Sequence, residues 1–490
     1  MRESTVVTRS LLQEAINKGD FELANDLIDI TDFSFAGLSE EEELEWRCLA
    51  ADVYEYYARS EDLLQVLSPY LGKISPRFST INTARLLLRL GSLNYLQQEY
   101  AESLTRFELA KGFFQMMADD EGSAMAIHYI GRTYWKMDHY EEAISCLNEA
   151  IAAYDRLALT HRKGVALLHL ASTLEKQGDI TAATDAFYAA ERVLADTEDT
   201  VKRASCTNNI GLTLIHKGDY QGAIEKFNVA IQIFSGVAHI PFLAASYNNL
   251  AWVLILVGNY EKAESFLITA LELHRANNDT AYEAGTLDLF GLLRIEQGRY
   301  KEAERFLARS LMLAQGVNSS YNIAVARATL GKLWLACKKP EQAILEFREA
   351  AAIAERIGDR FVLCEALLLG AESYLLLNEY ERVSERLAVA KQYLETIGNQ
   401  YFQARYVKLK GQLDKLTSRR PSKDFQLTAD KLPTREEAIN QLDEWLTRRA
   451  LEQTNYNTVK AAKLLGVSRI WLYELKKRYD IMSQKLRPKN

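Results

Sequence analysis

Proline is scarce in this sequence, with 7 residues in 490. Each proline removes a backbone donor and blocks a helix interior, so so few leave little to interrupt long helices. Cysteine is sparser still. The five (Cys48, Cys146, Cys206, Cys337 and Cys364) form no C-x-x-C pair and no Cys/His spacing suited to a metal. That argues against a disulfide scaffold or a zinc module; Cys146, Cys206 and Cys364 lie in apolar stretches and are expected to pack as reduced, buried thiols. No run approaches the roughly 18 apolar residues of a membrane span. The opening MRESTVVTRSLL lacks the apolar centre of a signal peptide, so a cytoplasmic protein without membrane contact is expected. The motifs G-x-x-x-x-G-K-[ST], G-x-S-x-G and H-E-x-x-H are also missing. No catalytic, cofactor-binding or metal-ligating constellation is present, and the chain is not expected to be an enzyme.

What is present is ordinary in amount and unusual in arrangement. Hydrophobic residues make up 48% and charged residues 26%, the mix of a folded soluble chain, and 490 residues exceed what one core usually serves. Charge is segregated. Residues 417–490 hold 16 Lys and Arg against 9 Asp and Glu, a net of +7, which leaves −14 for residues 1–416. An acidic body with a basic end points to an anionic partner for that end.

The body repeats itself every forty residues. A small residue recurs at Gly91, Gly131, Ala171, Gly211, Ala251, Gly291, Gly331 and Ala371. Nine positions later comes Tyr100, Tyr140, Ile180, Tyr220, Tyr260, Tyr300, Pro340 or Tyr380. Short residues follow at Ser103, Ala143, Ala183, Ala223, Ala263, Ala303, Ala343 and Val383, and again seven further on, from Ala110 to Ala390. Each period holds two apolar-periodic stretches about a turn such as Lys217-Gly218-Asp219, which makes a helical hairpin. One hairpin cannot bury its own apolar face, so the hairpins must stack into a solenoid.

This pattern, clearest in NNIGLTLIHKGDYQGAIEKFNVAI, resembles the tetratricopeptide repeat in a forty-residue form. The resemblance covers residues 81–398, extends weakly over 5–70 (KGDFELAND and Ser60–Leu67), and makes 400–416 a closing helix. It implies an all-α superhelical solenoid of paired antiparallel helices, with 1–80 as degenerate N-terminal repeats and 81–416 as the array. First helices would then line an inner groove for a peptide or protein, through Asn208, Leu212 and Ile215, then Asn248, Trp252 and Ile255, then Asp288, Leu292 and Ile295. Asn amides can hold a peptide backbone because they both donate and accept. The alternative is that these residues only pack neighbouring hairpins in a tight winding. His216, also in this set, is expected to be a solvated helix residue.

Beyond the array, TSRRPSKDFQLTADKLPT (417–434) has linker composition. In REEAINQLDEWLTRRALEQ, Ile439, Leu442, Leu446 and Ala450 share one helical face. NTVKAAKLLGVSRIWLYELKKRYDI then reads as two short helices about Gly466-Val467, capped by Asn457 or Thr458 and by Ser468. Ala461-Ala462, Leu465-Gly466-Val467, Ser468-Arg469 and Leu472-Tyr473 resemble the Fis-type helix-turn-helix domain, which also closes activators of the NtrC kind; residues 435–490 would form it. The resemblance implies binding to double-stranded DNA as a homodimer. Asn457 and Lys460 would meet phosphate, Ser468, Arg469, Tyr473 and Glu474 would face the bases, and Lys477 and Arg478 would meet the backbone. Val459, Trp471 and Glu474 depart from the usual pattern. The expectation is a bacterial DNA-binding transcriptional regulator whose array senses or recruits a peptide or protein. The alternative is a cytosolic scaffold whose basic module serves oligomerisation or protein docking.

Overall fold

Helices begin on a beat of twenty residues, because the same turn is built after most helices of the array. The computed structural model describes residues 2–29, 38–71, 78–237, 239–397, 399–417, 434–454, 456–479 and 481, and among them every regular element is helical. Most of the predicted linker, 418–433, lies outside the described residues. The chain divides into two compact units, Met1–Leu413 and Asp414–Asn490.

The first unit opens with α1 (Arg2–Lys18), α2 (Phe21–Asp29), α3 (Glu40–Tyr56) and α4 (Ser60–Leu67), followed by a 3₁₀ turn at Ser68–Tyr70. Regular pairs then follow: α5 (Thr80–Leu96) with α6 (Tyr100–Met116), α7 (Asp120–Lys136) with α8 (Tyr140–Arg156), and α9 (Thr160–Gln177) with α10 (Ile180–Leu194). Next are α11 (Thr200–His216) with α12 (Tyr220–Gly236), α13 (Ile240–Leu256) with α14 (Tyr260–Ala276), and α15 (Thr280–Glu296) with α16 (Tyr300–Gly316). The array ends with α17 (Ser320–Ala336) and α18 (Pro340–Arg356), α19 (Arg360–Leu376) and α20 (Tyr380–Ile397), and α21 (Gln400–Thr417).

Two local rules fix the beat. The second residue before most helices is left-handed: Gly178, Gly218, Gly258, Gly298 and Gly358, but also Ala118, Ala158, Asn278, Asn318 and Asn378. Around it the amides bond back as in a Schellman turn, for example Gly218 N–H to the Ile215 carbonyl (3.0 Å) and Asp219 N–H to the Leu214 carbonyl (2.9 Å). The next residue caps the following helix. Asp119, Asp179, Asp199, Asp219, Asp279 and Asp359 each accept the backbone N–H three positions on.

Within a pair, the recurring small residue is where the helices cross. A Cβ on Gly211 would lie 2.6 Å from the Phe227 ring, one on Gly331 2.4 Å from Phe347, and one on Gly291 2.4 Å from Leu307. Phe227, Phe347 and Leu307 are fully buried there, sixteen residues after their glycines. First helices of neighbouring repeats also touch one another, as α13 does α15, α15 does α17 and α17 does α19, so they line the inner face.

The winding brings distant repeats together. Tyr56 donates to Asp199 Oδ1 (2.7 Å), and His161 bonds Asp199 Oδ2 (2.9 Å). Further along, Lys176 pairs with Asp359 (3.4 Å), and the His216 ring lies 4.4 Å from that of Phe361.

The second unit holds α22 (Arg435–Gln453), α23 (Thr458–Leu465) and α24 (Arg469–Arg478). Thr434 and Glu437 form a reciprocal capping box at the start of α22. Gly466 ends α23 at φ 68°, and Ser468 accepts the Trp471 N–H to start α24. The core is small: Ala450, Leu451, Ala461, Ala462, Leu472 and Ile481, edged by Leu465, Val467 and Tyr479.

Candidate functional site: inner face and basic helix pair

The predicted groove residues separate into two groups. Leu212, Trp252 and Leu292, at the same place in three successive first helices, are half-buried on the inner face. Ile215, Ile255 and Ile295 are buried instead between repeats. So are Asn248 (8% exposed) and Asp288 (5%). Their polar atoms join one repeat to the next. Asn248 donates to Thr286 Oγ1 (2.8 Å), and Asp288 accepts from Thr329 Oγ1 (3.1 Å). Asn208 accepts from Ser246 (3.0 Å) and from Asn249 (3.2 Å). A polar ladder thus runs along the seam, and the half-buried amides of these two helices are those of Asn208, Asn209 and Asn249. A first helix turns 100° per residue, so a one-residue shift in register separates seam from groove.

Burial has its electrostatic cost here. It pushes the Asp288 carboxyl up to about 6, against the opposing pull of Lys332 and the Thr329 hydroxyl. His216 is not solvated as expected. It packs between Trp252 (6.2 Å) and Phe361, and burial lowers its imidazole to about 4. The sequence reading missed it because Phe361 lies 145 positions away. The same holds for Tyr56, His161 and Asp199, which local periodicity gives no reason to associate.

On the second unit, Asn457, Lys460, Ser468, Arg469, Tyr473, Glu474, Lys477 and Arg478 are all exposed. The Asn457 side-chain oxygen is already used: it accepts the Val459 and Lys460 N–H groups (3.1 Å each) and so caps α23. Ser468 Oγ caps α24 in the same way. Arg469, Tyr473 and Lys477 recur every fourth residue, a single stripe on α24 away from buried Leu472 and Leu475. Residues 458–479 carry six Lys and Arg against one Glu. None of Lys460, Arg469, Lys477 and Arg478 pairs with a carboxylate among the described residues, whereas Arg448 on α22 pairs with Glu444 (2.8 Å). Ile439, Leu442 and Leu446 on α22 stay exposed, while Ala450 on the same face enters the core. No helix among the described residues is long and apolar enough to cross a membrane. Of the cysteines, Cys48, Cys206 and Cys364 are buried, Cys146 and Cys337 half-buried, and all five are free.

The profile of the tetratricopeptide repeat matches residues 82–156 and 242–316. Curated protein sequences give no match. Among solved structures, the chain is similar to the apo form of the quorum sensor NprR from B. thuringiensis (TM-score 0.55, 15% identity, over 72% of this chain and 99% of that one). It is also similar to the apo form of RapI (TM-score 0.53, 14% identity, over 72% and 98%). NprR in complex with its cognate peptide NprX matches with a TM-score of 0.48 at 14% identity, over 71% and 98%. With the forty-residue beat, the small-on-large helix crossings and the matched segments together, this chain is built of tetratricopeptide repeats.

Proposed function

We propose that the chain is a transcriptional regulator: the repeat array binds a peptide or protein segment on its inner face, and the C-terminal unit binds double-stranded DNA as a homodimer. One observation carries the DNA half. Two short helices about a glycine turn hold six cations against one carboxylate, with Lys460, Arg469, Lys477 and Arg478 exposed and without an ion pair among the described residues. Such a surface neutralises phosphate without first breaking its own ion pairs. Arg469 opens α24 and can bond guanine O6 and N7 if that helix enters the major groove. The exposed Ile439, Leu442 and Leu446 supply an apolar stripe through which two copies would pair. The peptide half is supported by the half-buried Leu212, Trp252 and Leu292 beside Asn209 and Asn249, apolar pockets with a few polar anchors. NprR, of like fold, is a quorum sensor with a cognate peptide.

The test is a mobility shift on promoter DNA with Arg469→Ala and Lys460→Ala. Both should weaken binding, and wild-type-like shifts from both remove the assigned surface. A second reading, a scaffold whose basic unit only oligomerises, is favoured by that same α22 stripe together with exposed Ile470 and Trp471. Retention on DNA that falls steeply with salt excludes the scaffold reading.

A further inference from the structure

Along the array, the inner face changes chemistry at one place in three separate columns. The seventeenth residue of the first helix is Lys136 in α7 and Lys176 in α9, then His216 and Leu256. The third residue is Arg162 and Lys202, then Phe242 and Tyr282. Between these columns, Arg132 gives way to Ser172 and then to Leu212, Trp252 and Leu292. Cations therefore occupy the inner face of α7, α9 and the start of α11. Aromatic and aliphatic groups predominate on it from the end of α11 to α15, where exposed Glu296 closes the first column.

The cationic end is only partly neutralised from within. Arg132 pairs with Glu55 (2.8 Å), Arg162 with Glu121 (3.2 Å) and Lys176 with Asp359 (3.4 Å). Lys136 and Lys202 form no ion pair among the described residues; each ammonium rests instead on an aromatic ring, Lys136 4.5 Å over Trp135 and Lys202 4.6 Å over Tyr56. A ring face attracts the cation while leaving its donors free for another acceptor. Asp199 lies near Lys202, but its oxygens are taken by Tyr56, His161 and the Lys202 backbone N–H. Burial, and for Lys136 the neighbouring Arg132 and Lys176, hold both lysines below the ordinary ammonium range. An arriving anion would relieve that repulsion. Beyond α15, Lys332 pairs with Glu365 (2.8 Å) and Arg405 with Glu372.

We propose that the groove takes an extended peptide of fixed direction, its acidic end against Lys136, Arg132 and Lys202 and its apolar end against Leu212, Trp252 and Leu292. The inference rests on the reading of the inner face as a peptide groove and adds to it the composition and polarity of the ligand. Charge complementarity selects the acidic end, because only an acidic segment brings a counter-charge to exposed Lys136 and half-buried Lys202, which form no ion pair among the described residues.

The test uses the full-length chain and an immobilised positional-scanning library of heptapeptides. Retained peptides should be rich in Asp or Glu toward one end and in Leu, Ile or Phe toward the other. For the best of them, the double variant Lys136→Gln, Lys202→Gln should weaken binding about tenfold or more and abolish the acidic preference, leaving the apolar one. Trp252→Ala should do the reverse, and thermal unfolding followed by circular dichroism verifies that each variant is folded. Retained peptides without an acidic end, or an acidic preference untouched by the double lysine variant, overturn this inference while the groove reading stands. A library from which nothing is retained overturns both.

Discussion

The two units show two ways of making helices stay together. In the array, each pair is locked by a large side chain over a small one, and the same contact recurs in register, as Phe227 over Gly211 and Phe347 over Gly331. Stability there is shared among neighbours, since each hairpin borrows a buried face from the next. The C-terminal unit has three helices among its described residues, and no repeat. Six buried residues, three of them alanine, hold α22, α23 and α24, and capping side chains supply what the core lacks. The acidic array can afford to bury polar groups such as Asp288 and Asn248 in its seam. Among its described residues, the basic unit buries no charged side chain.

Equivalent truncations should break this comparison most sharply. Phe227→Ala removes a fully buried ring and should cost the array about 3–5 kcal/mol, seen as a lower midpoint of the main unfolding transition. Leu472→Ala, at about 2–5 kcal/mol, takes a comparable amount from a much smaller total. It should abolish the dispersed amide resonances of residues 435–479 and leave the main transition in place. A main transition lowered equally by Leu472→Ala would mean that the two units unfold as one.

The seam offers the next largest effect. Because burial raises the Asp288 carboxyl from 3.8 to about 6, the folded state holds its proton more tightly than the unfolded state does. Stability is therefore lost as pH climbs between those two values, and above about 6 a charged carboxylate stays buried at a cost of roughly 3 kcal/mol. Asp288→Asn keeps an acceptor for Thr329 and removes the charge. Its thermal midpoint should exceed that of the wild type above pH 6, with the gap closing toward pH 4. A constant gap across that range would assign the stabilisation to something other than proton binding.

The smallest effect tests the caps. Thr434→Ala removes the hydroxyl half of the capping box on α22 and should destabilise the C-terminal unit by about 1 kcal/mol. Amide exchange in α22 reads it directly, and the array should not respond.

Much of the array was legible from residue types alone. Gly211, Tyr220 and Ala223 announce a crossing, a helix start and a close approach, and the structure has α12 begin at Tyr220 with Ala223 fully buried. Even the weak signals at KGDFELAND and Ser60–Leu67 correspond to helices, with Gly19 at φ 79° between α1 and α2. The turns at Ala118 and Ala158 were harder, because alanine does not advertise a left-handed conformation that the packing of flanking helices imposes. The groove was harder still. Asn248 and Asp288, assigned to it, are buried between repeats, since the sequence gives the period of the helix but not the angle at which neighbouring repeats meet.

The sequence by itself determined where helices start and stop, which faces they bury and how charge divides between the two units. All of these depend on residues within a turn or two of one another. Tertiary structure alone decided that Tyr56 meets Asp199 and that His216 meets Phe361. Those meetings follow from a small rotation between successive repeats, accumulated over several of them, and no single period of the sequence contains that sum.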